Sequence, residues 1–193
     1  GSQILIVKAS PSRPLIVELN GPAVTGSDYH LNCSAQSNSE PPNHNLTMLS
    51  DWRRDNMLLT LSGRYFVNGT ELTITGLSYR QDNGARLTCV AFEDTLAKSV
   101  NSDEYIIDVK YGPENAQIVL SPSAFPLIVE ETATLNIACS ADCYPDCNFT
   151  WSGPQSFLKT GAHLSQIIDR DKEGNYSCIA TNQVNLGKTA TVS

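Results

Sequence analysis

The stretch CSADCYPDCNFTW, Cys139 to Trp151, sets three cysteines and two aspartates within nine residues and ends on a tryptophan. Side chains of these types can bind a metal, carry thiol chemistry or close a disulfide. A metal is disfavoured, because no histidine lies near in sequence and structural zinc takes four Cys or His ligands. Thiol chemistry is disfavoured too: a reactive cysteine needs an electropositive setting, and Asp142 and Asp146 would raise the thiol pKa. A disulfide is the simple outcome.

The remaining polar residues offer no better chemistry. His30 falls on an outward strand face, His44 in a proline-containing loop and His163 near a turn. None sits in a nucleophile or metalloprotease pattern, and histidines so placed are expected to be solvated. The acidic pairs Glu130-Glu131 and Asp169 with Asp171 lie beside turns, where carboxylates are common. No glycine-rich phosphate loop is present. The chain is read as non-enzymatic, with no metal and no cofactor.

The formal net charge of -7 excludes nucleic-acid binding as an expectation, because phosphate contacts need clustered basic residues and the longest basic run is Arg53-Arg54. Six cysteines, an even number, fit an oxidising compartment. Five Asn-x-Ser/Thr triplets begin at Asn32, Asn45, Asn68, Asn148 and Asn175. Asn45, Asn68, Asn148 and Asn175 are the expected glycan acceptors. Asn32 ranks last, since it sits in mid-strand with Cys33 as its middle residue. No apolar stretch reaches the roughly 18 residues of a spanning helix, so a signal or anchor is expected outside these residues.

An internal repeat supplies the elements that must position these groups. ILIVKASP, Ile4 to Pro11, is matched by IIDVKYGP, Ile106 to Pro113, and LNCSA is matched by IACSA. Each copy then carries a tryptophan and a second cysteine: Cys33, Trp52, Cys89, and Cys139, Trp151, Cys178. Alternation places Tyr29, Leu31 and Cys33 on one strand face, and likewise Leu87, Cys89 and Ala91; Leu135, Ile137 and Cys139; and Tyr176, Cys178 and Ala180. Both cysteines of each copy therefore point into a core. The expected disulfides are Cys33 with Cys89, Cys139 with Cys178 and, by exclusion, Cys143 with Cys147. No helical period is convincing and turn residues recur at short intervals, which favours an all-β fold of two-sheet antiparallel sandwiches.

These residues carry a resemblance across nearly the whole chain: each copy resembles an immunoglobulin-superfamily domain. DKEGNYSC is similar to that family's Asp, Gly, Tyr, Cys signature, which implies that Tyr176 forms a tyrosine corner. The first copy departs from it, with Leu87 where the tyrosine would stand. The resemblance implies an ion pair between Arg64 and Asp82 at the bottom of the first domain, beside the reading of two independent surface charges. DNGA, VKYGPEN and the short second domain are similar to nectin-, nephrin- and carcinoembryonic-antigen-like adhesion proteins.

The expected architecture is two tandem immunoglobulin-like sandwiches, residues 1–111 and 112–193, arranged end to end. Residues 1–10 are read either as the closing strand of a preceding domain or as the first strand of domain one. Only 26 residues separate Trp151 from Cys178, too few for a variable domain's extra hairpin, so domain two is read as a short constant-like or intermediate set. Domain one has 36 between Trp52 and Cys89 and room for one more strand around LSGRYFV.

The resemblance implies a non-catalytic extracellular recognition or adhesion module, part of a larger cell-surface or secreted protein, that binds a protein partner homophilically or heterophilically. The alternative is a secreted immune-recognition protein that binds microbial surfaces or glycans. A partner surface is expected around Arg53, Arg54 and Phe92, because Phe92 follows the inward Ala91 and should point outward beside arginines. A shielded Phe92 on a domain that is only a spacer is the competing reading.

Overall fold

The computed structural model describes residues 4–59, 63–93, 97–113, 119–121, 128–184 and 188–192. The expected strand region LSGRYFV loses its first two residues to that limit, VAFEDTLAK its residues 94–96 and VKYGPEN its last two. The chain divides into two compact units, Gly1–Val109 and Lys110–Ser193.

Unit 1 is a sandwich of two four-stranded antiparallel sheets. One contains β1 (Leu15–Glu18), β2 (Tyr29–Ser34), β6 (Glu71–Ile74) and β5 (Tyr65–Asn68), in that order. The other contains β4 (Met57–Leu58), β3 (Leu49–Arg54), β7 (Arg86–Phe92) and β8 (Tyr105–Ile106). Alternation decides what is buried: Tyr29, Leu31 and Cys33 of β2 meet Trp52 of β3 and Leu87, Cys89 and Ala91 of β7 in one core. Trp52 lies directly opposite Cys89, so the indole and the Cys33–Cys89 disulfide share the centre of the sandwich. Leu87, in the place of the absent corner tyrosine, is fully buried there.

Among the described residues between Phe92 and Tyr105 no regular strand covers β7, and serine hydroxyls complete its ladder. Ser99 N–H donates to Ala91 O while Ala91 N–H donates to Ser99 Oγ. Ser102 repeats the exchange with Cys89. The buried Cys89 and Ala91 N–H groups thus find acceptors without a partner-strand carbonyl.

Unit 2 has sheets of β13 (His163–Ile167), β10 (Thr134–Ser140) and β9 (Val119–Ser121), and of β12 (Phe157–Thr160), β11 (Asn148–Gly153), β14 (Tyr176–Thr181) and β15 (Lys188–Val192), each in that order. Trp151 lies opposite Cys178, and its core adds Leu135, Ile137, Cys139, Leu164 and Tyr176. The Tyr176 hydroxyl donates to Lys172 O at 3.0 Å, four residues back, which is the tyrosine corner. Its ring runs so close to Gly153 that a Cβ there would stand 2.7 Å from it, so β11 needs glycine at this crossing. Among the described residues no helix is long and apolar enough to cross a membrane.

Candidate recognition surface

The cysteines pair as Cys33–Cys89, Cys139–Cys178 and Cys143–Cys147, with no free thiol. The small Cys143–Cys147 loop is held by its neighbours in unit 2. Tyr144 and Tyr111 exchange backbone N–H···O bonds of 2.7 and 3.0 Å, and the Tyr111 hydroxyl donates to Asp142 at 2.8 Å. The Asn182 amide donates to both Tyr111 O and Pro145 O. Asp142 is therefore an acceptor for a phenol, and among the described residues no three His, Cys, Asp or Glu converge on a point.

His44 is not the solvated loop histidine that its surroundings in sequence suggest. Its side chain and that of Glu93 are only 5% and 4% exposed, with His44 Nε2 3.7 Å from Glu93 Oε1. Ser37 Oγ stands 3.0 Å from His44 Nε2 and donates to Glu93 Oε2 at 2.9 Å, and Ser39 Oγ donates to the same oxygen at 2.8 Å. Serine, histidine and carboxylate are together, but their roles are wrong for nucleophilic catalysis. Leu46 N–H donates to His44 Nδ1, so the proton resides on Nε2 and the nitrogen facing Ser37 cannot accept one. The carboxylate also sits on the serine side of the ring, where it cannot orient the imidazole from behind. The cluster instead ties the long loop between β2 and β3 to Glu93, just past β7. Ala9 N–H joins it through Ser39 Oγ. Forty-eight intervening residues hid this pairing from a reading by local pattern, and the one available signal was a lone acid directly after a core strand.

The two arginines after Trp52 part company. Arg53 is exposed on the outward face of β3, in register with Leu58 and Thr88. Arg54, expected on a partner surface, turns the other way: Nη1 donates to Asp82 Oδ1 at 2.8 Å, and its guanidinium also reaches the Tyr65 hydroxyl and Gln81 O. Arg64 Nη2 bonds Asp82 Oδ2 at 2.5 Å and Ser78 N–H adds a third donor at 2.8 Å. Asp82, at the end of α1 (Tyr79–Asp82), is fully buried. Burial pushes its carboxyl up, but the bonds from Arg64, Ser78 N–H and Arg54 outweigh it and hold the pKa below the usual carboxylate range. The even spacing of Trp52 and Arg54 was the sequence signal that Arg54 faces inward.

Phe92 also corrects the expectation of an exposed aromatic. It points to the outward face but is only 8% exposed, because Lys98 lies across it with Nζ 4.5 Å from the ring centroid. Lys98 is anchored there by Asp51, its salt-bridge partner on β3. What the outward face of the β4, β3, β7, β8 sheet offers is Arg53 flanked by exposed Leu58 and, further along β3, exposed Leu49.

The glycan-acceptor triplets are distributed unevenly. Asn45, Asn68, Asn148 and Asn175 are exposed and Asn32 is half-buried. In unit 1, Asn32 pairs with Glu71 and Glu71 with Asn68, so both asparagines stand in one cross-strand row on the outward face of the β1, β2, β6, β5 sheet. Thr70, the hydroxyl residue of the Asn68 triplet, donates to Asn32 Oδ1 at 2.7 Å. The outward face of the opposite sheet carries no triplet.

Two sandwiches, each with an inter-sheet disulfide against a buried tryptophan, define a tandem immunoglobulin-type protein. Residues 116–193 match the family model of the immunoglobulin domain. It is 28% identical over 185 residues to the rat protein turtle homolog B, covering 89% of this chain and 12% of that one. The chain thus spans about an eighth of the length of this curated relative. Among solved structures, the first two immunoglobulin domains of DIP-gamma superpose with a TM-score of 0.66 at 23% identity, covering 94% of this chain and 96% of that one. The full ectodomain of mouse nectin-like molecule 4 superposes with a TM-score of 0.53 at 23% identity, covering 94% and 63%.

Proposed function

We propose that the chain is a non-catalytic extracellular recognition module within a longer cell-surface or secreted protein, and that it meets a protein partner through the outward face of the β4, β3, β7, β8 sheet. The observation that carries this reading is the asymmetry of unit 1: the exposed acceptor Asn68 stands on the outward face of one sheet, and the other outward face has no triplet. A branched glycan excludes protein contact where it is attached. The free face carries an exposed arginine, a residue type enriched at interfaces, beside the apolar surface of exposed Leu49 and Leu58. The curated and structural relatives belong to adhesion and recognition types, which supports the same reading.

The test adds a glycan to the free face. Asp51→Asn with Arg53→Thr creates an acceptor triplet on β3, and the secreted variant is displayed on beads against a panel of immunoglobulin-type ectodomains, itself included. Binding that the added glycan abolishes and Asn68→Gln leaves intact supports the proposal. Binding that survives the added glycan refutes the assigned face. Hits confined to a glycan array would support the microbial-surface or glycan reading instead.

A further inference from the structure

Ile4, Leu5 and Val7 are exposed apolar side chains at the edge of unit 1, Leu5 by 82% and Val7 by 58%. The strand β1 begins only at Leu15, and residues 4–8 lie outside it, with a backbone bridge between Val7 and Glu40. Yet the same eight-residue pattern occurs once more in the chain, at Ile106 to Pro113. There it is the end of unit 1: Ile107 N–H donates to Ala85 O, Gly84 N–H donates to Ile107 O, and Val109 N–H donates to the Asn83 side chain. Ile107 and Val109 are fully buried, while Ile106 and Asp108 face solvent. Matched at the proline, Leu5 takes the place of Ile107 and Val7 that of Val109, so the two residues left in water are those that the pattern buries. A shift of two residues, which would match the bridge of Val7 with Glu40 to that of Tyr111 with Tyr144, still places Leu5 on a buried position, because strand faces alternate with a period of two.

We infer that residues 4–8 are the closing strand of a further immunoglobulin sandwich, N-terminal to unit 1 in the natural chain, with Leu5 and Val7 completing its core. The partner is specified by chemistry: an immunoglobulin-type β-sandwich short of its last strand, whose edge backbone pairs with the residues before Val7, since Val7 N–H and O are engaged by Glu40, and whose interior accepts aliphatic side chains. Unit 1 cannot be that sandwich, since β8 and the residues after it already fill the position. The inference is independent of which face binds a partner.

Two measurements test it. A protein lacking residues 1–8 should melt within about 2 °C of the parent, whereas loss of a strand native to unit 1 would lower the midpoint by well over about 4 °C. A fall of that size overturns the inference. In the longer natural chain, the hundred or so residues preceding this segment should carry Cys, Trp and Cys in that order, the spacing of the internal repeat. Leu5→Asp in that longer protein should lower the midpoint of the added domain and leave that of unit 1 unchanged. Absence of such a domain, or a loss confined to unit 1, overturns the inference as well.

Discussion

Arg54 Nη1 donates to Asp82 Oδ1 at 2.8 Å, so the second of two adjacent arginines closes the bottom of unit 1 while the first faces solvent. Arg54→Ala should therefore cost about 1.5 to 3 kcal/mol, the loss of a hydrogen bond to a charged group. Arg53→Ala should stay within about 0.5 kcal/mol of the parent, as exposed substitutions usually do. Urea denaturation of the two variants separates them. The depressed Asp82 pKa also sets the pH window. Its contribution is present above the unfolded carboxylate value of about 3.9 and is lost as pH falls further, so the deficit of Arg54→Ala should shrink in acid.

At the opposite edge, the Tyr29 hydroxyl meets that of Tyr105, which in turn donates to Glu18. This joins β2 and β1 of one sheet to β8 of the other. Burial, followed by the bond to Glu18, pushes the Tyr105 phenol up to about 12, and burial pushes Tyr29 up as well. Both groups hold their protons more tightly when folded. Their contribution is complete below the unfolded value of about 10 and declines as pH rises through the folded values. Burial pushes the Tyr176 phenol up too, so alkaline titration followed by tyrosinate absorbance should show three phenols that ionise late, and Tyr105→Phe should remove one of them; normal titration of all seven tyrosines would contradict this.

His44 should be the Nε2–H tautomer, since Leu46 N–H occupies Nδ1. Nitrogen-15 chemical shifts of the ring in the folded protein read this directly, and an Nδ1–H pattern would refute the arrangement. Ser37 should accordingly show no burst with activated esters, because its neighbouring ring nitrogen carries a proton.

The three disulfides should differ in weight. Cys33–Cys89 closes a separation of 56 residues and Cys143–Cys147 one of 4. Chain entropy alone makes these contributions about 4 and about 2 kcal/mol. Replacing Cys143 and Cys147 together by serine should leave unit 2 folded at a lowered midpoint. Replacing Cys33 and Cys89 should unfold unit 1 at physiological temperature, and equal melting losses from the two replacements would contradict the ranking.

Gly153→Ala tests the tyrosine corner. The added methyl meets the Tyr176 ring and should cost about 1 to 3 kcal/mol, as overpacking does. Tyr176→Phe removes only the bond to Lys172 O and should cost about 1 kcal/mol. If Gly153→Ala melts like the parent, the close crossing of β11 and the ring is wrong.

The chain sequence by itself determined whatever a period of two and local chain geometry control. Inward cysteines alternate with outward polar residues, so the core strands follow from neighbours a few residues apart, and the corner at Tyr176 was implied by the resemblance that DKEGNYSC carries. Alternation even specified that Arg54 points the same way as Trp52. Where that direction leads, to Asp82 and a second arginine, depends on α1 returning beneath β3, and only the tertiary structure decided it. Phe92 shows the same division: its outward direction is local, but its burial comes from Lys98, whose placement is set by Asp51 on another strand. His44 and Glu93 are the extreme case. A buried hydrogen-bond network is stable only when every member finds its partner at once, and these partners come from four separate stretches of chain that only the closed sandwich brings together.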